Sequence, residues 1–373
     1  MKRTLFQWII NETIKEGGNA VPSAKDVRGD IAGDIARDVI QSVSKAFNCH
    51  AEAAGSTGKK GSEMYSGDID ILMDMPWEDV NVEKVKQWVT DSFPGCEMKS
   101  SPGFKEISFG YPYHDDSDNV DKIAQVDLMF TGNINWRRWS AYSPSPYDEE
   151  YAEHGIDKAF KGLVQTVLLK AIASVVPLDM DKLSKMYPNI DFSSVPFTEG
   201  EREIIRARRE ARGRDDANNV GRNKSYWRYM WDAENGLVII RKSYESKKRP
   251  GQLLIDATTH EKLEPETSDV DTALKLIFGN AATTEVLKNP ITMIKYLFGG
   301  NYPYATPENL RRIHNIVTNN DQINEIPGAV ENFEKVWNKY AKQDQERSQG
   351  EPAYSATIQE MRDLYNRMKK TED

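Results

Sequence analysis

Cysteine is nearly missing from this chain: there are two in 373 residues, Cys49 and Cys96. Two thiols cannot build a disulfide framework or a multi-cysteine zinc site, and such usage fits a reducing, cytoplasmic setting. Histidine is scarce as well. The five present (His50, His114, His154, His260 and His314) fall at no metal-ligand spacing, so zinc hydrolase chemistry is not expected. Long apolar runs are absent, and none approaches the ~20 residues of a membrane helix. The first ten residues begin basic and turn apolar, but Asn11, Glu12 and Lys15 interrupt them and no small-residue cleavage site follows. Neither a membrane span nor a signal peptide is therefore expected. An excess of positive charge is missing too: the net charge is −9, so the whole molecule is no polycation. No internal repeat or long low-complexity tract appears. What remains, 39% hydrophobic and 29% charged residues, is ordinary globular composition, enough for two or three domains at about 150 residues each.

Residues 4–16 suggest a short amphipathic helix that Gly17-Gly18 ends. A longer helix is expected from Ser23 to Phe47. Val27, Ile31, Ile35, Val39, Val43 and Phe47 recur every four residues, and Ser23 is a suitable N-cap. A Gly- and Lys-rich loop (55–67), a strand over Ile69–Met73 and a helix near 80–92 follow. Strands are expected at Glu106–Tyr111 and Ile123–Phe130, flanking a polar loop from His114 to Asp121. This alternation predicts an α/β (α+β) domain with a mixed sheet. Residues 134–150 read as a packed connection and Ile156–Val175 as a helix. Over 200–250 there are fourteen Lys or Arg against eight Asp or Glu, a locally basic stretch. It holds a charged helix (Arg202–Arg214) and a hairpin (Tyr226–Tyr244) turning at Glu234-Asn235-Gly236. Leu253-Leu254-Ile255 suggests a further strand. Beyond 268 the chain reads as helical, with a final helix over 356–369. The expected division is a catalytic domain (1–150), a helical connection bordering the site (151–199), a basic helix and β-hairpin element (200–262) and a C-terminal helical region (263–373).

The chemistry concentrates in Gly55-Ser56-Thr57-Gly58-Lys59-Lys60 and the following Gly67-Asp68-Ile69-Asp70-Ile71-Leu72. Alternate strand residues share a face, so Asp68 and Asp70 should project together while Ile69 and Ile71 enter a core. Two hard oxygen ligands on one face suit Mg²⁺, with phosphates and water completing the shell. Asp127 is again a single acid inside an apolar strand, Gln125-Val126-Asp127-Leu128-Met129-Phe130, and an acid there needs a compensating cation or partner. If the two strands are neighbours, three carboxylates converge as two-metal phosphoryl or nucleotidyl transfer requires. Gly55 allows close backbone approach to phosphates, and Ser56 offers a hydroxyl to a phosphate or a metal. Gly58-Lys59 is not a P-loop, because Ala53 and Lys60 stand where that motif needs Gly and Ser or Thr. Asp74, four past Asp70, is either an extra carboxylate on that face or the mark of the strand end.

Gly-Ser, then Asp-x-Asp, then a lone strand Asp resembles the polymerase-beta-like nucleotidyltransferase superfamily over roughly residues 23–133. The resemblance implies that Asp68, Asp70 and Asp127 hold two Mg²⁺ ions, with Mn²⁺ as a possible substitute. It implies that Gly55 and Ser56 contact the nucleoside triphosphate. Lys59 and Lys60 would either touch a triphosphate or belong to a solvated loop. The long interval between Asp70 and Asp127 implies an inserted hairpin or loop near 94–121. The expected reaction is transfer of a nucleoside monophosphate from an NTP to an acceptor hydroxyl. The expected acceptor is an RNA or tRNA end. The alternatives are a nucleotide acceptor, as in second-messenger synthases, a protein acceptor, as in toxin-like transferases, or a catalytically inactive fold acting as a binding or assembly protein. Two readings of the basic region stay open. Arg222, Lys224, Trp227 and Arg228, with Tyr226, Tyr229 and Trp231 among them, would suit RNA through cations on phosphates and rings on bases; equally, the aromatics would form hairpin core. Lys158, Lys161 and Lys170 could border the triphosphate or lie on the surface, and Asp148-Glu149-Glu150 reads as surface charge.

Overall fold

The computed structural model describes residues 20–117, 119–143, 145, 149–156, 162–210, 223–249 and 252–348. The helices expected at 4–16 and 356–369, together with Arg222, Asp148, Lys158 and Lys161, lie outside them. The first half runs β1 (Val27–Arg28), α1 (Gly29–Phe47), β2 (Ala51–Ala53), β3 (Tyr65–Ser66), β4 (Ile69–Asp74), α2 (Val82–Ser92), β5 (Met98–Ser101), β6 (Glu106–Asp115), β7 (Val120–Thr131) and α3 (Ile134–Ser140). Five strands form one sheet in the order β2-β4-β7-β6-β5. The β4–β7 pair is parallel and the other neighbours are antiparallel, so the sheet is mixed, as expected. The β5–β6 hairpin occupies the interval between Asp70 and Asp127.

Strand alternation divides this sheet into two unlike faces. Ile69, Ile71 and Met73 on β4, Ile107 and Phe109 on β6, and Val126, Leu128 and Phe130 on β7 join Ile35, Val39 and Val43 of α1 and Val85 and Val89 of α2 in one core. The opposite face carries Asp70, Leu72, Glu106, Ser108, Gln125, Asp127 and Met129. Of these, Leu72 and Met129 pack with Ala54 and Ile134 in a small separate cluster. One face is thus apolar core, and the other gathers the acids with Ser108 and Gln125, most of them buried.

Ser23 does not cap α1. Helix α1 starts at Gly29, because the preceding backbone is committed elsewhere. Lys25 N–H donates to Ile123 O (2.9 Å), β1 pairs with β3, and Gly29 N–H donates to Met64 O (2.8 Å). The 134–150 connection is also more regular than expected. Asn133 accepts from Trp136 N–H (3.0 Å) and caps α3, and a second short helix, α4 (Glu149–His154), follows.

The second half continues with α5 (Gly162–Ala173), α6 (Met180–Met186), β8 (Val195–Pro196), α7 (Glu199–Glu210), β9 (Asn223–Asp232), β10 (Gly236–Arg249) and β11 (Gln252–Thr267). Five helices follow: α8 (Val270–Phe278), α9 (Pro290–Leu297), α10 (Pro307–Thr318), α11 (Asp321–Asn324) and α12 (Ala329–Ser348). The expected hairpin and its turn are present. The short strand at 253–255 is the start of the sixteen-residue β11, whose polar composition hides its length. The boundaries read at 150 and 262 fall inside α4 and β11. The antiparallel sheet β11-β10-β9-β8 buries Trp227, Tyr229, Trp231, Leu237 and Ile239 against the apolar helix α5 and the C-terminal helices. No described helix is long and apolar enough to cross a membrane.

The two halves meet at α3. Trp136 stacks on Trp231 with ring centroids 4.2 Å apart, both fully buried, and its indole N–H donates to Asp232 O (2.8 Å). Ser140 Oγ donates to Ala233 O (2.6 Å), and Lys105 pairs with Glu234 (2.9 Å). Trp136→Ala should therefore cost about 3–5 kcal/mol, the usual penalty for removing a buried aromatic. Thermal or denaturant unfolding measures it, and a change under ~1 kcal/mol would show that this stack does not hold the halves together.

Candidate active site

The β4–β7 register sets Asp70 directly beside Asp127, and the β6–β7 register sets Ser108 on the far side of Asp127. Asp68 lies just before β4. One carboxylate oxygen from each of Asp68, Asp70 and Asp127 lies within 4.8 Å of the others, a grouping able to hold a metal ion. Asp127 is buried at 5% exposure, and Asp70 and Asp68 are half-buried. Burial first, then the charges of Asp68, Asp127 and Glu106, push the Asp70 carboxyl well above its usual range. Burial raises Asp127 also, opposed by hydrogen bonds from Ser108 and Gln125. Acids crowded this way are costly without a cation, and an all-oxygen donor set is what a hard divalent ion selects.

Glu106 is a fourth carboxylate at the site. Burial, followed by the charge of Asp127, lifts it to about 7, and Ser108 Oγ donates to its Oε1 (3.2 Å). The alternation of Glu106 and Ser108 against Ile107 and Phe109 was the available signal, but the adjacency of β6 to β7 was not in the sequence. Arg137 on α3 is the cation that acts on both Asp70 and Glu106, and its guanidinium also donates to Ala233 O (3.4 Å).

The 55–60 loop is built around Asp70. Gly55 has φ +57°, and a Cβ there would fall far inside van der Waals contact of Asp70 Oδ2. The buried Thr57 Oγ1 accepts from Asp70 N–H (2.9 Å), and Ala54 N–H donates to Asp70 O (2.9 Å). Ser56, half-buried, follows Gly55 in the same loop. Lys59 Nζ donates to Ser143 O (2.6 Å) and sits 4.0 Å from the Tyr142 ring centroid; burial lowers its amine to about 8. Lys60 Nζ donates to Tyr65 O (2.8 Å). Both lysines thus tie the loop to neighbouring backbone. Asp74 is exposed and ends β4.

In the basic element, Trp227, Tyr229 and Trp231 take the hairpin-core reading. Trp227 is buried and spends its indole N–H on Asp191 O (3.0 Å): alternation along β9 turns it inward with Tyr229 and Trp231, and its edge lines the same cavity as Tyr226 and Arg228. Lys224 pairs with Glu201 (2.7 Å). Arg228 and Tyr226, on the opposite face of β9, line a cavity of about 290 Å³ with Arg312 and Phe192.

No protein-family model matches the sequence, and no curated protein matches it. Two solved structures of Leishmania infantum polymerase beta are similar to part of it. The ternary P/T complex shares 11% identity at a TM-score of 0.26, covering 35% of this chain and 53% of that one. The ternary gap complex shares 9% at 0.29, covering 45% and 57%. The chain therefore spans little more than half the length of either polymerase. Likeness this slight carries no functional weight.

Two outcomes are expected here. Gly55→Ala should abolish divalent-ion binding at the cluster, because the new methyl displaces Asp70; isothermal titration with Mn²⁺ checks it, and retained affinity would refute the close packing. In metal-free buffer the folded protein holds a proton on Glu106 that the unfolded chain, near 4.5, has released. The stability this gives is full below about 4.5 and is lost as pH rises through about 7. The melting temperature should fall between pH 5 and 8, and Glu106→Gln should flatten that fall; identical slopes would show that Glu106 does not titrate in this window.

Proposed function

We propose that this chain is a divalent-metal-dependent nucleotidyltransferase that moves a nucleoside monophosphate from an NTP to an acceptor hydroxyl. The observation that carries the reading is the convergence of Asp68, Asp70 and Asp127 on one sheet face beside a glycine-opened loop. In the reaction the acceptor oxygen bonds to the α-phosphorus, the α–β bridging P–O bond breaks, and pyrophosphate leaves. The acceptor's proton passes to the carboxylate cluster. Two divalent ions, when bound, supply the positive charge that offsets the triphosphate and the charge developing in transfer. Asp68 and Asp70 would hold both ions, and Asp127 the ion nearer the acceptor. Gly55 and Ser56 would let the loop backbone approach the triphosphate. Lys59 and Lys60 support that loop from behind. Catalysis on this reading is positioning and charge neutralisation.

For the acceptor we propose an RNA end, supported by the basic balance of residues 200–250 and by Tyr226, Arg228 and Arg312 around one cavity. A second reading, a soluble nucleotide acceptor, fits the size of that cavity, about 290 Å³. Incubation of the protein with Mg²⁺ and each α-labelled NTP, with and without RNA, separates them. Label on RNA supports the first, and a small soluble product without RNA supports the second. Asp68→Asn should lower either by at least about a hundredfold, in keeping with loss of an electrostatic element of a transfer site, with little change in melting temperature. Full activity in that variant would overturn the assignment.

A further inference from the structure

Gln125 lies two residues before Asp127 on β7 and shares its face. It is 2% exposed and carries no charge. Its side-chain oxygen accepts two backbone N–H groups from the segment entering the domain, Ala20 (2.9 Å) and Val21 (3.0 Å). Its side-chain nitrogen lies 3.0 Å from Asp127 Oδ1 and 2.9 Å from Oδ2, donating to the carboxylate. The two ends of the amide fix each other. A flipped amide would aim its NH₂ at two N–H donors and its oxygen at a carboxylate, both repulsive. The Ala20–Val21 backbone therefore decides which end of Gln125 faces Asp127.

We infer that Gln125 is a positioning residue that couples the backbone at Ala20–Val21 to the orientation of Asp127 as a metal-facing carboxylate. The inference rests on the metal-binding part of the proposed function, the grouping of Asp68, Asp70 and Asp127, and it concerns how one ligand is aimed. A lysine in this place would cancel the charge that the ion requires. A glutamine orients the carboxylate and leaves its charge intact. The remaining lone pairs of Asp127 are held toward Asp70 and Asp68 instead of sweeping through other side-chain torsions. Partners behind metal ligands typically change affinity by about 10–100-fold.

The test uses the full chain and Mn²⁺ alone as probe, with affinity read by calorimetry or by electron paramagnetic resonance. Gln125→Met keeps size and removes both sets of hydrogen bonds. It should weaken Mn²⁺ binding about tenfold. Ala20→Pro removes one distant donor and should shift affinity in the same direction by less, whereas Ala20→Gly should bind as wild type does. The loss in Gln125→Met should appear as a raised half-saturating metal concentration, with the transfer rate recovering at saturating Mn²⁺; a purely structural role would not be rescued by metal. Wild-type affinity in both Gln125→Met and Ala20→Pro would overturn the inference, as would wild-type protein with no Mn²⁺ binding that Asp127→Asn removes. Should Gln125→Met not fold, Ala20→Pro decides alone. If Mn²⁺ binds and responds to these changes but no NTP is ever transferred, the transferase reading fails and the positioning role stands.

Discussion

Like charges held side by side govern this structure. The parallel β4–β7 register leaves Asp70 and Asp127 no choice but to be neighbours, and Asp68 and Glu106 crowd the same space. Such a group is tolerated because the other sheet face supplies a dense apolar core with α1 and α2. Much of the surrounding sequence serves to hold the acids where they repel one another. Thr57 ties down the Asp70 backbone, Gly55 makes room for its carboxylate, Gln125 donates to Asp127, Ser108 donates to Glu106, and Arg137 offers an opposing charge. Strain kept in a preorganised site and offset by packing elsewhere is a common mark of function.

What the sequence displayed and what it hid divide along a physical line. Local alternation exposed the strands, the Asp-x-Asp pair and the hairpin at 226–244, because period-two patterning depends only on near neighbours. The lone Asp127 was visible because an acid inside an apolar strand breaks that pattern. Glu106, Gln125 and Arg137 were hidden because each matters only through an element far off in the chain. The start of α1 was misplaced for the same reason: Met64 and Ile123, remote in sequence, take the backbone groups that would otherwise have begun the helix at Ser23. Trp227 was open to two readings, base-stacking ring or hairpin core, and the alternation of β9 laid against α5 places it with the core.

The glycine-rich loop shows how one motif serves two purposes. Its opening glycine is read from sequence as a concession to phosphate, yet in the fold it first accommodates Asp70. Its lysines look like triphosphate ligands, yet each reaches a backbone carbonyl, Ser143 or Tyr65. A loop pinned at both lysines has its shape set by the fold itself, which lowers the ordering cost of any binding it takes part in.

Helix α3 gives consecutive residues opposite allegiances. Trp136 belongs to the second sheet through its stack on Trp231, and Arg137 belongs electrically to the acids. Seven residues make two turns of helix, too short to bend and too well packed to slip. Because Trp136 and Arg137 leave adjacent positions of one short helix, the same element that seats the second sheet also fixes where a positive charge stands beside the acids.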